Sequence, residues 1–422
     1  MLGNKKNTMT RERYIPFRKH DVITLCEDLT KSPNIENANQ FDTFAKLLVS
    51  RIHYDYHNRL EHLKDNYALF DPNRDTRVIG QITHTDLQTS KQAFSSGFAE
   101  LLDAANFEKV TDEDLREALN EESLFKVRLE VQFDDFEDVV FYRRGESVKT
   151  EILRQWWGLR KRKIEFTHYD RVAVYITFKD ADYFNQNNRK SLTFTPGSTI
   201  VKLFQNVPKA DLEMLFPNSE VRMRPLDKLI IGASAAVGGT VVLVTKLGAS
   251  LILMASVVAF WLGLRDEEVT LTTQSLMTFG IGMGVFGSFV FKEWTKFKNR
   301  KIRFMKALSD NLYFKNLDNN AGVFHTLIDA AEEEDCKEAL LAYSFLLNFG
   351  SAGISAEELD EKIEHWFMQK HQCVLDFDVA DALNKLVRMN IISQSNDIFK
   401  AKPLLEACAI LDDYWDNIYQ SA

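Results

Sequence analysis

Apolar side chains recur every three or four positions through Phe41, Phe44, Leu48, Ile52, Tyr56, Leu60 and Leu63. That spacing places one apolar stripe on a helix, which Asp71-Pro72 would bring to an end. A second helix is predicted through Ser90–Ala105, and Thr111-Asp112-Glu113-Asp114 has the form of a capped start to a third. After Glu122 the period changes from helical to alternating. Lys126–Phe133 and Arg171–Phe178 alternate apolar with polar side chains, while Val139–Tyr142 and Ser198–Phe204 add short β-type runs. Strands following one another in sequence suggest hairpins, so the soluble part is expected to be α+β.

The pattern is broken between Leu229 and Leu264, where 36 residues carry one charge, Lys246. A second apolar run, Leu276–Phe291, follows Arg265-Asp-Glu-Glu-Val. A bilayer core is crossed by about 20 apolar residues in helical form, so these runs predict a two-helix transmembrane hairpin crossing at about 244–264 and 275–291. Cations gather at the exit (Lys292, Lys296, Lys298, Arg300, Lys301, Arg303, Lys306) and at the entry (Arg222, Arg224, Lys228). By the positive-inside rule both soluble parts are then expected in the cytoplasm. Gly280, Gly284 and Ser288, four apart, would let the second crossing pack closely on another helix. The expected organisation is an N-terminal helical region (1–121), a β-rich module (122–228), a membrane unit (229–292), a basic exit helix (293–320) and an acidic C-terminal helical domain (321–422).

In that last domain, helices predicted at 338–348, from Ser355 and around Val379–Leu386 precede a possible hairpin at 391–402 and a final helix at 404–418. This is the outline of a winged helix. A nucleic-acid reader needs a basic recognition helix. Phe377–Met389 offers only Lys385 and Arg388 against Asp378 and Asp381, so no nucleic-acid partner is expected.

Composition adds limits. A mean hydropathy of -0.25 is too polar for a transporter of many spans. Cys26, Cys336, Cys373 and Cys408 have no paired spacing, so reduced buried thiols are expected rather than a disulfide frame or zinc site. Met1–Phe17 has neither the apolar core of a signal peptide nor the character of a transit peptide. The net charge of -9 hides an asymmetry. Eight cations lie between Arg143 and Lys163, whereas beyond Ala307 there are 21 acidic residues against 8 basic. The first stretch suits an anionic partner, and the second would repel one.

Three segments carry a family resemblance: Tyr14-Ile-Pro-Phe-Arg-Lys, Phe141-Tyr-Arg-Arg-Gly and above all Val201–Pro217. Together they resemble an uncharacterised family, defined by a domain of unknown function, that includes the mitochondrial transmembrane protein 143. The resemblance runs from about Tyr14 to Leu411–Asp416 and implies a two-helix membrane protein with no assigned activity or cofactor. Because the chain begins almost at the first motif, the expected location is the bacterial inner membrane.

Candidate residues are few. Trp156 and Trp157 beside Arg160, Lys161, Arg162 and Lys163 have the makeup of a membrane-interface anchor, with Arg143 and Arg144 as further anion contacts. The plainer alternative is a strand-turn-strand with buried tryptophans and solvated cations. His53, His57 and Glu61 stand four apart and offer a weak metal-ligand pattern; exposure or packing at the core edge is the plainer reading, and no metal is expected. Asp211 and Glu213 follow Pro208, a plausible helix start, where acids ordinarily serve the helix dipole. The expected function is a non-enzymatic, membrane-anchored protein contacting anionic lipid and a protein partner or second copy. A membrane-bound enzyme acting on a phosphate-bearing or lipid substrate is the alternative.

Overall fold

The computed structural model describes residues 13–31, 38–74, 76–77, 79, 82–111, 113–116, 128–155, 160–187, 189, 192–218, 220–222, 240, 248–262, 264, 272–349 and 352–419. They fall into two compact units. The first draws on Met1–Glu117, Phe133–Lys209 and Lys315–Ala422, and the second on Ala118–Gln132 and Ala210–Phe314.

In the first unit, α1 (Lys19–Thr30), α2 (Phe41–Tyr67) and α3 (His84–Ala104) open the chain. All seven positions of the predicted α2 stripe are buried, with Ala45 and Tyr67 beside them. A reciprocal cap starts α3: Asp86 N–H donates to the Thr83 hydroxyl, and the Asp86 carboxylate accepts from Thr83 N–H. The antiparallel sheet consists of β1 (Glu108–Lys109), β3 (Phe136–Gln155), β4 (Arg160–Phe178), β5 (Thr199–Pro208) and β7 (Asn316–Asn319) in the order β1-β3-β4-β5-β7. Between β4 and β5 lies the short helix α4 (Ala181–Gln186). Val172–Phe178 is buried without interruption, because β4 is central and covered on both faces. Ala173 and Tyr175 join the core shared with the helices.

The C-terminal helices complete that core. They are α7 (Ala321–Phe349), α8 (Ala356–His371), α9 (Val379–Arg388) and α10 (Leu404–Asn417), with the hairpin β8 (Ile392–Ser395) and β9 (Ile398–Ala401) before the last. Asn396 turns that hairpin with φ 55°. Nearly every residue of α7 from Ala331 to Leu346 is buried, including Glu332, Glu334, Asp335, Lys337 and Glu338. A helix apolar on all sides becomes the centre of its body, and its charged residues are carried inside with it.

The second unit holds β2 (Arg128–Glu130) paired antiparallel with β6 (Glu220–Arg222), and the helices α5 (Gly248–Trp261) and α6 (Thr273–Lys315). Here the expected architecture is corrected. The fold is mixed α and β around a sheet of five antiparallel strands, and no helix among the described residues is long and apolar enough to cross a membrane. The 14 residues of α5 extend about 21 Å, short of a core about 30 Å thick. α6 is long enough at 43 residues, but its apolar stretch gives way to Lys292 after 16 residues broken by four glycines. The predicted crossings at 244–264 and 275–291, and with them the multi-pass inner-membrane location, are therefore not supported. Residues 229–239 and 241–247 of the apolar run lie outside the described residues.

The β-type run at Ser198–Phe204 is a strand, but the helix expected to start at Pro208 is not an α-helix. Extended backbone continues through Pro208 as β5, and a 3₁₀ segment spans Lys209–Leu215.

One sheet residue makes a pH prediction. His168 on β4 is 4% exposed, and the Lys149 ammonium from β3 donates to its Nε2 at 3.2 Å. Burial first, then the positive charges of Lys149 and Lys315, hold its pKa below the ordinary 6.5 against the pull of Asp170. The unfolded chain therefore takes up a proton near pH 6.5 that the folded chain refuses, so stability falls as pH drops below that value. Urea midpoints measured from pH 7.5 to 5.5 should decline less steeply in His168→Asn than in the parent. Parallel declines would remove His168 as the cause.

Candidate functional site

A charged network is built where α7 passes α2 and α9. Asp335 on α7 accepts from the Tyr56 hydroxyl at 2.7 Å, and its other oxygen lies 2.6 Å from Lys385 Nζ. Asp381, one turn before Lys385 on α9, also accepts from that ammonium. Lys385 is 8% exposed, although it is written into a segment with an outwardly polar pattern. Glu338, one turn after Asp335, is 4% exposed and makes no hydrogen bond or ion pair among the described residues. Desolvation pushes Glu338 well above the usual carboxylate range, opposed by Lys385. Asp335 is raised for the same first cause.

Beside the network is a cavity of about 140 Å³ bordered by Arg51, Asp55, Tyr56 and Arg59 of α2, Asp335 of α7, and Lys385 and Arg388 of α9. Arg51 lies on the ring of Tyr414, 3.3 Å from its centroid, and contacts Asp55 at 3.3 Å. Its Nη1 is buried without a hydrogen-bond partner. Arg59 stacks over Tyr56 at 5.0 Å, and Arg388 reaches the carbonyl of Asn384 at 3.4 Å. Both act on the Asp55 carboxylate through space, without a direct ion pair to it. The wall thus sets four cations against two carboxylates.

The candidates read from sequence are distributed elsewhere. Arg143 and Arg144 border a separate cavity of about 340 Å³ with Arg13, Tyr14, Glu108 and Glu146. Arg143 pairs with Glu146 and Glu108, while Arg144 lies 3.6 Å from Glu334 and 4.5 Å above the Tyr14 ring. These guanidinium groups already have carboxylate partners. Arg160, Lys161, Arg162 and Lys163 begin β4 opposite Ile152–Gln155; their side chains, like Trp156 and Trp157 entirely, lie outside the described residues. Around Gly280 and Gly284 no atom comes within 4 Å of an added Cβ, and Ser288 donates to the carbonyl of Gly284 in its own helix.

His53 bonds Glu332 at 2.7 Å and Glu61 bonds Lys64 at 2.9 Å, so His53, His57 and Glu61 are not drawn to one point. Among the described residues the carboxylates that do converge are Asp335, Glu338 and Asp381, with oxygens within 4.8 Å of one another. Sequence reasoning counted these acids as part of a solvated charge excess. The available signal was their neighbourhood: Ala339-Leu-Leu-Ala-Tyr leaves α7 no polar face on which to expose them.

No solved structure matches the chain. A family model described as a protein of unknown function (DUF3754) matches residues 169–322, running from β4 into the start of α7. That match is narrower than the near full-length resemblance, and nothing in it links the chain to a membrane or to the mitochondrial transmembrane protein 143. A DUF3754 domain of unknown function is present at residues 169–322.

Proposed function

We propose that this chain is a non-enzymatic binding protein whose helical body takes up a small phosphate-type oxyanion in the cavity between α2 and α9. The observation that carries this reading is the pair Arg59 and Arg388, guanidinium groups that border a concave space and face Asp55 without a direct ion pair to it, beside Arg51, whose Nη1 is buried without a hydrogen-bond partner. Planar guanidinium forks suit tetrahedral oxyanions, which accept two parallel N–H bonds from each. About 140 Å³ admits a phosphate group but falls short of the several hundred Å³ of a cofactor site. The hydroxyl on the wall, Tyr56, donates to Asp335 and is held protonated by burial, so it is poorly placed to attack a bound phosphate.

Isothermal titration with phosphate and pyrophosphate tests the proposal. Arg59→Ala combined with Arg388→Ala should weaken binding at least about tenfold, or 1.4 kcal/mol, while leaving the helical circular dichroism unchanged. Absence of binding at millimolar ligand, or equal binding by the double variant, would overturn it. Vesicles bearing phosphorylated headgroups form a second arm that separates a free phosphate from a lipid source.

A further inference from the structure

We infer that Asp55 makes the anion cavity selective for an oxyanion that still carries a proton, inorganic phosphate, over one that carries none, such as sulfate. The inference rests on the anion reading above and names its ligand. Arg51, Asp55 and Arg59 stand four apart on α2, so one carboxylate lies between two guanidinium groups on a single helix face. Arg388, at the end of α9, borders the same cavity. Asp55 is thus an acceptor set among donors. All three guanidinium groups favour its charged form, yet only Arg51 comes close, with Nη2 at 3.3 Å. Arg51 is itself held against the Tyr414 ring, and its Nη1 is buried without a hydrogen-bond partner. The other carboxylate on the wall, Asp335, is already engaged by the Tyr56 hydroxyl and the Lys385 ammonium.

That wall asks two things of a ligand. Its oxygens must accept from guanidinium N–H groups, and one of them must donate to Asp55, because an ionised carboxylate only accepts. Hydrogenphosphate does both. Sulfate is fully ionised at neutral pH and would set its lone pairs against the carboxylate oxygens, a like-charge contact that discriminates against it. A phosphomonoester loses its second proton near about pH 6. At pH 8 it therefore resembles sulfate in this respect, and free phosphate is the better-matched source. Fully buried sites built to hydrogen-bond a ligand hydroxyl reject analogues lacking it by factors of about 10⁴. The Asp55 side chain is 41% exposed, so water softens the penalty, and a preference of about a hundredfold is expected.

The experiment is calorimetric titration of the full chain at pH 8 and constant ionic strength, with phosphate and then with sulfate. The parent should bind phosphate the more tightly by about a hundredfold. Asp55→Asn offers an amide that donates as well as accepts, so there the ratio should collapse to within about tenfold. Asp55→Ser, whose hydroxyl also does both, should behave alike. Comparing ratios cancels the general gain in anion affinity that follows loss of a negative charge. Glu61→Gln, the same change of charge on α2 but outside the cavity, should keep the parent's ratio. Equal binding of the two anions by the parent, or a preference kept by both Asp55 variants, would overturn the inference and leave the anion reading standing. Binding of neither anion by the parent would overturn both.

Discussion

Replacing Lys337 by methionine should destabilise the first unit by about 3–5 kcal/mol, the usual range for removing one partner of a buried ion pair. Lys337 sits on α7, 2% exposed, with its ammonium 2.6 Å from Glu334, 2.8 Å from the carbonyl of Ile15 and 3.2 Å from that of Phe17. Glu334 in turn accepts from Ile15 N–H at 3.0 Å. These bonds fasten the segment before α1 across the middle of α7, joining residues more than 300 positions apart. Methionine fills the same volume without the charge, leaving Glu334 with that N–H and the more distant Arg144. Urea denaturation should show the loss, and Glu334→Gln added to Lys337→Met should recover a large part by removing the stranded charge. Amide exchange at Ile15 should quicken in the single variant. A loss below about 1 kcal/mol would mean that the pair contributes no more than a surface ion pair.

Lys337 also shows where sequence becomes hard to read. The α2 stripe was legible because its periodicity reports burial directly. The hairpin β8–β9 was legible because Ser395-Asn396-Asp397 is turn chemistry set between β-type runs. A buried lysine leaves no such mark: Lys337 and Lys385 look like any solvated charges until their helices are placed against others. Arg59 and Arg388 likewise meet at one cavity only after α2 and α9 come together, more than 300 residues apart in the chain.

The apolar run shows the opposite error. Hydropathy summed along the chain takes no account of where a helix begins and stops. Among the described residues α5 covers Gly248–Trp261, and α6 carries its apolar opening directly into a basic second half. A window over composition registered a span, while the helical segments among the described residues are too short or too mixed to provide one.

Phe324→Ala should cost about 3–5 kcal/mol, as large aromatic truncations in closed cores do. Phe324 on α7 is fully buried, with its ring centroid 5.1 Å from Tyr67, 5.4 Å from Phe94 and 5.9 Å from Phe98. Phe94 and Phe98 in turn reach Tyr175 on β4. The cluster therefore unites α2, α3, the central strand and α7, segments separated by as many as 257 residues. Tilted and edge-on geometry adds to area burial about 0.5–1.5 kcal/mol for each aromatic pair. Alanine leaves a cavity that four fixed elements cannot close together, whereas leucine restores most of the volume and should recover part of the loss. Because α2, α3, the central strand and α7 each contribute a ring, the helices and sheet of the first unit should melt together at a lowered midpoint. Far-ultraviolet circular dichroism and tyrosine fluorescence, followed through one urea titration of Phe324→Ala, should give coincident curves. Separated curves would show that N-terminal helices, sheet and C-terminal helices hold independently, and that the shared aromatic core is not what joins them.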